Sequence, residues 1–346
     1  MLLLKRKSDG LTYVFRRRES DEWVRTDMEI LIKKGPDSKW GCYSGDAIVG
    51  KPMINSDSSS LPPEGEWISS KNGKSYIYDV SFQSDFSDLG DQYERQENLR
   101  DWNSVLDEVQ AVTQLKDALS LDVGCGAGTV AGLMAARGAK VVGIDRDPVM
   151  VALSHERCPN GRFLVGDALE PNIRRLESVG ATEFDIIWTS FVISYFPDPV
   201  AFIENWSSAL RQGGLLCLLD VSGLFSVHRP MDDETLDVCN RLDSALEPVY
   251  FSSYGSRLGA FCIEAGLEVV RECPIDDAEF AFTGSATPEC LTAWAARLRR
   301  PFISKKLSEV TDQPEEFVQK FLECLSLKEH SVMAKPVLVI ARRKLI

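Results

Sequence analysis

Histidine is nearly absent from this chain. His155, His228 and His330 lie far apart, and no two of the nine cysteines form a C-x-x-C pair. A closed zinc site draws its ligands from such short-spaced pairs, so no metal centre is expected. Long apolar runs are also missing, and none approaches the ~18 residues that span a bilayer. The first residues, "MLLLKRKSDG", hold too few apolar positions for a signal peptide, and the expectation is a cytoplasmic chain away from membranes. Positive charge is in deficit, with a formal net charge of -13. That balance opposes attraction to a phosphate backbone, and outside "FRRR" at 15–18 there is no Lys/Arg tract to grip RNA. Nucleic acid is therefore not an expected partner.

What is present fits a globular protein, with 44% hydrophobic and 26% charged residues in 346. That length holds one large domain or two ordinary ones. Cys125, Cys217 and Cys262 sit in apolar surroundings and read as reduced, buried thiols.

Residues 1–86 read as a small all-β module. Asp9-Gly10, Gly35-Pro36-Asp37 and Asn72-Gly73 each separate strand-like runs, the hairpin signature, with Trp23, Trp40 and Trp67 as the large apolar residues. "INSDSSSLPPEGE" reads as a loop. "LPPEGEW" and the "NGKSYIY" hairpin are similar to a WW-type module, but the second tryptophan and following proline of that family are missing. From about Gln92 the spacing of Leu99, Trp102, Leu106, Val109 and Val112 predicts a helix. Strands are then expected at 119–124, 140–144, 162–165, 184–189 and 214–220. Helices should fall near 128–137, 148–156, 171–179 and 198–211. Near-continuously apolar strands such as "FDIIW" and "GLLCLLD" suit a sheet covered on both faces. The alternation predicts a parallel, doubly wound α/β domain over 87–346.

"LDVGCGAGTV", residues 121–130, closes the first of these strands. Glycine there contributes no packing and costs backbone entropy, so the run marks a sharp turn and a close approach. Its spacing is G-x-G-x-G, with Thr129 where the dinucleotide fingerprint G-x-G-x-x-G has its last glycine. The loop therefore does not ask for a diphosphate on the helix N-terminus. The next strand ends in Asp145, where such folds grip ribose hydroxyls. Asp147-Pro148 supplies an N-cap and a first-turn proline, and "RFLVGDA" ends in Asp167.

"LDVGCGAGTVAGLMAARGAKVVGIDRDPVM", "FLVGDALE", "FDIIWTSFVISYFPDPVAFIENWSSAL" and "LRQGGLLCLLD" resemble, in order and spacing, the motifs of the class I S-adenosylmethionine-dependent methyltransferases. The resemblance covers about residues 117–221 and points to the broad small-molecule branch. It implies a Rossmann-like sheet of seven strands, the last antiparallel. S-adenosyl-L-methionine is then the cofactor and S-adenosyl-L-homocysteine the product. It implies that the backbone of Gly124, Cys125, Gly126 and Gly128, with Asp122 ahead of it, passes the methionine and ribose. Asp145, followed by Arg146, should hold the ribose hydroxyls. Asp167 and the Ala168 amide should meet the adenine, and Ser190 should lie near the sulfonium. Upstream, Tyr93, Arg95 and Arg100 are candidates for the cofactor's carboxylate, with Trp102 as lid or core.

The motif "WTSFV" lacks the N-P-P-Y-type tetrad of adenine and glutamine methylation. Insertions at about 222–253 and 277–333, the latter with helical "PECLTAWAARL" and "PEEFVQKFLECL", should fold over the cofactor. Their aromatics Phe225, Tyr250, Phe251 and Tyr254 are candidates to line an acceptor pocket. A base is needed only where the acceptor cannot lose its proton alone. His228 is the first candidate, since histidine titrates near neutrality, and Tyr195 the second. The expected partner is a small-molecule acceptor of a methyl group on O or N, with a homodimer as the only assembly considered. Two other readings stay open: methylation of a protein or peptide presented by the β module, and a cofactor-fold binding protein without catalysis.

Overall fold

The computed structural model describes the backbone of strands between residues 2 and 82, and then residues 93, 95–168, 176, 183–247 and 249–345. The first part contains β1 (Leu2–Arg6), β2 (Thr12–Arg17), β3 (Trp23–Arg25), β4 (Ile30–Lys34), β5 (Trp40–Ser44), β6 (Ala47–Gly50), β7 (Gly65–Lys71) and β8 (Lys74–Phe82). They form one sheet in the order β6-β5-β4-β3-β2-β1-β8-β7, and every bonded neighbour is antiparallel. The two end strands, β6 and β7, come close to each other, the arrangement of an up-and-down barrel. β7 and β8 thus belong to this sheet rather than to a separate WW-type module. The side chains of Trp23, Trp40 and Trp67, and the segment expected as a loop before β7, lie outside the described residues.

The second part alternates as its sequence predicts. It runs α1 (Trp102–Gln110), β9 (Leu119–Val123), α2 (Thr129–Ala136), β10 (Lys140–Asp145), α3 (Pro148–Arg157), β11 (Arg162–Val165), β12 (Phe184–Ser190), α4 (Pro199–Ser207) and β13 (Leu210–Asp220). Beyond it come β14 (His228–Arg229), α5 (Asp233–Leu246), α6 (Leu258–Glu264) and β15 (Glu268–Pro274). Then follow α7 (Pro288–Leu298), α8 (Pro301–Val310), α9 (Pro314–Ser326), β16 (Ser331–Val332) and β17 (Val337–Arg342). Of the helix expected near 171–179, only Leu176 falls among the described residues. Asp147 caps α3 as expected, its side chain accepting from the Val149 amide at 2.8 Å, with Pro148 opening the helix.

The seven-stranded sheet has the order β11-β10-β9-β12-β13-β17-β15. β9 to β13 are mutually parallel, and β17 runs antiparallel to both its neighbours. Strand order reverses between β9 and β12, which opens a crevice at their carboxyl ends. Alternate side chains feed two cores. Leu121, Val123, Ile187 and Leu216 pack on α4 and α6 through Ile203, Trp206 and Phe261. Ile186, Trp188, Cys217 and Leu219 pack on α1 and α2 through Leu106, Val109 and Met134. Each such fully buried aliphatic side chain is worth about 1.5–3 kcal/mol, and burial on both faces explains the near-continuous apolar runs.

A third core belongs to the insertions. Val238 and Leu242 of α5 meet Trp294 of α7, Leu307 of α8 and Phe321 of α9 around Phe225. The sequence suggests two helices between β15 and β17, and the structure has three. α8 begins at Pro301, which reads as a break but occupies the first helical turn, where its missing N–H costs nothing.

Candidate active site

The glycine run answers two demands, room for its neighbours and a left-handed backbone. Gly124 and Gly128 have φ of +73° and +79°, the left-handed region that a side chain disfavours. A Cβ on Gly124 would stand 2.4 Å from Val192 Cγ2, and one on Gly128 2.7 Å from Ser154 Cα. These two let the loop pass β12 and α3. At Gly126, with φ of +51°, the nearest atom to such a Cβ would be Glu97 Oε1 at 3.6 Å, an ordinary contact, so the backbone conformation rather than crowding asks for glycine. The turn is pinned by Ile144 O, which accepts from the amides of Gly124 at 2.8 Å and Cys125 at 3.0 Å.

Above the crevice lies a cavity of about 330 Å³. Asp145, at the end of β10, lines it and accepts at both oxygens, from Gly126 N–H and Asp147 N–H, each at 2.9 Å. Burial raises its pKa, partly offset by those two amides. Asp122 lies deeper, where burial pushes its carboxyl up to about 8 and the charges of Glu97 and Asp145 add to the rise. At neutral pH it is chiefly protonated. Glu97 accepts from the Thr129 hydroxyl and, at 3.3 Å, from Arg157, so it ties the segment before α1 to the start of α2 and the end of α3. Asp167 and Ala168, after β11, and Ser190, ending β12, complete this end. The Ala168 carbonyl accepts from the Trp206 indole at 3.1 Å, which anchors the loop to α4.

The opposite end is aromatic and basic. Phe191, Phe280, Tyr195 and Tyr250 line it with Arg297 and Arg300. Tyr195 and Tyr250 meet edge to face at 5.0 Å, and Phe191 and Phe280 lie 5.7 Å apart. The Tyr195 residue is 43% exposed, yet burial of its hydroxyl end pushes the pKa up to about 12. It stands at the rim with its ring edge in solvent and its hydroxyl inward.

Of the residues the sequence singles out, Asp122, Gly124, Cys125, Gly126, Asp145, Arg146, Asp167, Ala168, Ser190, Tyr93 and Tyr195 share this cavity. Arg100 and Trp102 line it as well, and Trp102 also packs edge-on against Trp188 at 6.4 Å. Gly128 backs onto α3 instead, and Arg95 is exposed outside the cavity.

His228 requires correction as a candidate base. It is fully buried within the insertions, with its ring 5.1 Å from Trp294 and 5.4 Å from Phe321, and it lines no part of the cavity. Burial, with His330 alongside, drives its pKa down to about 3. Of the four insertion aromatics expected to line an acceptor pocket, Tyr250 reaches the cavity. Phe225 fills the third core, and Phe251 and Tyr254 pack toward the sheet. Gln96, Glu97, Phe280, Arg297 and Arg300 escape a reading of the sequence. "QENLR" and "ARLRRP" carry the right chemistry but no spacing that connects them to the glycine loop.

The sheet order, the glycine loop at the strand-order reversal and the carboxylate ending β10 are those expected of a Rossmann-like methyltransferase fold. The methyltransferase-domain family matches residues 121–218. The ubiquinone biosynthesis O-methyltransferase of Xanthomonas campestris pv. campestris (strain B100) is 34% identical over 113 residues, 33% of this chain and 47% of the relative. That of Parvibaculum lavamentivorans is 29% identical over 121 residues, 35% of this chain and 47% of the relative. The chain thus spans about half the length of the curated relatives it matches. Among solved structures, magnesium protoporphyrin IX methyltransferase from Synechocystis PCC 6803 with bound SAM aligns with a TM-score of 0.36 and 17% identity. The alignment covers 57% of this chain and 80% of that one.

Proposed function

We propose that this protein transfers a methyl group from S-adenosylmethionine to an oxygen or nitrogen of a small acceptor. One observation carries the reading: a single cavity holds both the glycine-loop carboxylates and the aromatic, basic rim. Its size is at the lower end of small-ligand pockets.

Asp145 would hold the ribose hydroxyls through the lone pairs its two amide partners leave free. Asp167 and the Ala168 amide would meet the adenine, with Arg146 beside them. The backbone of Gly124 to Gly126 would run beside the methionine moiety, Ser190 near the sulfur and Tyr93 across the opening. When bound, the cofactor supplies a methyl on a positively charged sulfur that leaves readily. The protein's task is then alignment in line with the acceptor and exclusion of water. Tyr195, protonated up to about pH 12, is a hydrogen-bond donor that orients the acceptor rather than a base that deprotonates it.

The test is turnover of methyl-labelled S-adenosylmethionine against a metabolite extract, alongside calorimetry with S-adenosylhomocysteine. Label in a low-mass product is the expected result. Label in protein would move the reading to peptide methylation, and tight binding without turnover would leave a binding protein.

A further inference from the structure

We infer that the acceptor is an anion, a small planar molecule whose carboxylate seats against Arg300. The inference rests on the methyltransferase reading above and names the substrate class of the same site.

Charge at the rim is unevenly compensated. Arg100 pairs with Asp277 through Nε at 2.7 Å and with Glu279 through Nη2 at 2.7 Å, and Arg297 pairs with the other oxygen of Glu279. Two guanidinium groups and two carboxylates therefore balance, with Glu279 fully buried beneath the cavity wall. Arg300, the residue before α8, adds a third cation and has no carboxylate partner among the described residues. Its contacts are Gln96 Oε1 at 3.1 Å and the Tyr93 ring at 4.8 Å. The Nε atoms of both Arg297 and Arg300 are buried without a hydrogen-bond partner, and both residues line the cavity. A buried cation and orphaned donors are costly unless an anion completes them. Burial, with the like charge of Arg297 next to it, already holds Arg300 below its ordinary pKa.

The shape of the site selects the rest. Phe191 packs on Phe280 and Tyr195 on Tyr250, and all four rings line the cavity beside the guanidinium groups, a lining suited to a flat aromatic body. All the carboxylates that line the cavity (Glu97, Asp122, Asp145, Asp147 and Asp167) belong to the glycine-loop end. Those that carry charge, Asp122 being chiefly protonated, repel an anion there and favour it at the rim. A guanidinium also matches a carboxylate with paired donors, which an ammonium does not.

Full-length protein saturated with S-adenosylhomocysteine would be titrated calorimetrically with benzoate and with its neutral isostere benzamide. Benzoate should bind at least about tenfold tighter, the scale of a charge-assisted hydrogen bond. Arg300→Gln should abolish the preference and Arg300→Lys should keep part of it, while S-adenosylhomocysteine affinity stays unchanged in both. Equal binding of the two probes, or no benzoate binding up to about 10 mM, overturns the inference. So does Arg300→Gln losing S-adenosylhomocysteine while retaining adenosine, which would assign Arg300 to the cofactor's own carboxylate and leave the methyltransferase reading intact. If S-adenosylhomocysteine fails to bind the unaltered protein, both readings fall.

Discussion

Nδ1 of His228 and Nε2 of His330 lie 3.0 Å apart in the core of the helical insertions, two imidazoles sharing one hydrogen bond. One ring must be the donor and the other the acceptor, which two neutral rings of complementary tautomer satisfy and two imidazolium rings cannot. It joins β14 to the turn before β16, the two strands that tie the insertions together. Around it stand Trp294, Phe321 and Phe282, with the Arg229 charge nearby as a further obstacle to protonation.

This pair makes stability depend on pH. The folded-state pKa of His228 is about 3, against an ordinary 6.5, so the unfolded chain takes up the proton first. Its contribution is complete above about pH 6.5 and is lost as pH falls from there toward 3. Between pH 6.5 and 5 the loss amounts to roughly 2 kcal/mol for one group. Urea unfolding of the unaltered protein and of His228→Phe at pH 7 and pH 5 isolates it. The difference between the two should change by about that amount, and parallel losses would show that His228 does not titrate in this window. Turnover per folded molecule should be preserved in the variant, since His228 is remote from the cavity.

Asp145→Ala removes the acceptor at the end of β10. Affinity for S-adenosylhomocysteine should fall about tenfold to a hundredfold, the worth of hydrogen bonds to a charged group. Unchanged affinity in a folded variant would take Asp145 out of the ribose site.

Glu279→Gln strips one charge from the buried network under the rim. Arg100 and Arg297 would lose their shared carboxylate, and unfolding free energy should drop by about 3–5 kcal/mol. A loss below about 1 kcal/mol would mean that solvent already screens the network.

A chain beginning near Ser84 should fold and bind S-adenosylhomocysteine within about threefold of full length, because the cofactor end and all three cores lie downstream. The backbone of β2 does approach α3. Aggregation of the shortened chain, or loss of binding, would make the eight-stranded sheet part of the catalytic unit.

Much of this was legible in the residues because it is local. A strand covered on both faces is apolar over most of its length, as "FDIIW" is apart from Asp185, which accepts from the Leu119 amide at 2.7 Å. A loop crossing a strand end and a helix start needs left-handed backbone, as Gly124 and Gly128 provide. Asp147-Pro148 can only open a helix, and Asp145 follows from the strand it ends. α8 escaped the reading although it opens on a proline, as α7 and α9 do; Arg300 before it offers no side-chain cap.

The sequence by itself thus determined the sheet and the glycine-loop end of its cavity, since each rests on interactions within a few residues or on strand periodicity. Tertiary structure alone decided what faces the acceptor. His228 looked poised after β13, but the aromatic rings of α7 and α9 close over it and desolvation removes its proton affinity. Arg297 and Arg300 stand far along the chain from Gln96 and Tyr93. They reach the cavity because the hydrophobic packing of Trp294, Phe321 and Leu307 docks the insertions there. No pattern along the chain records which charge such docking leaves uncompensated.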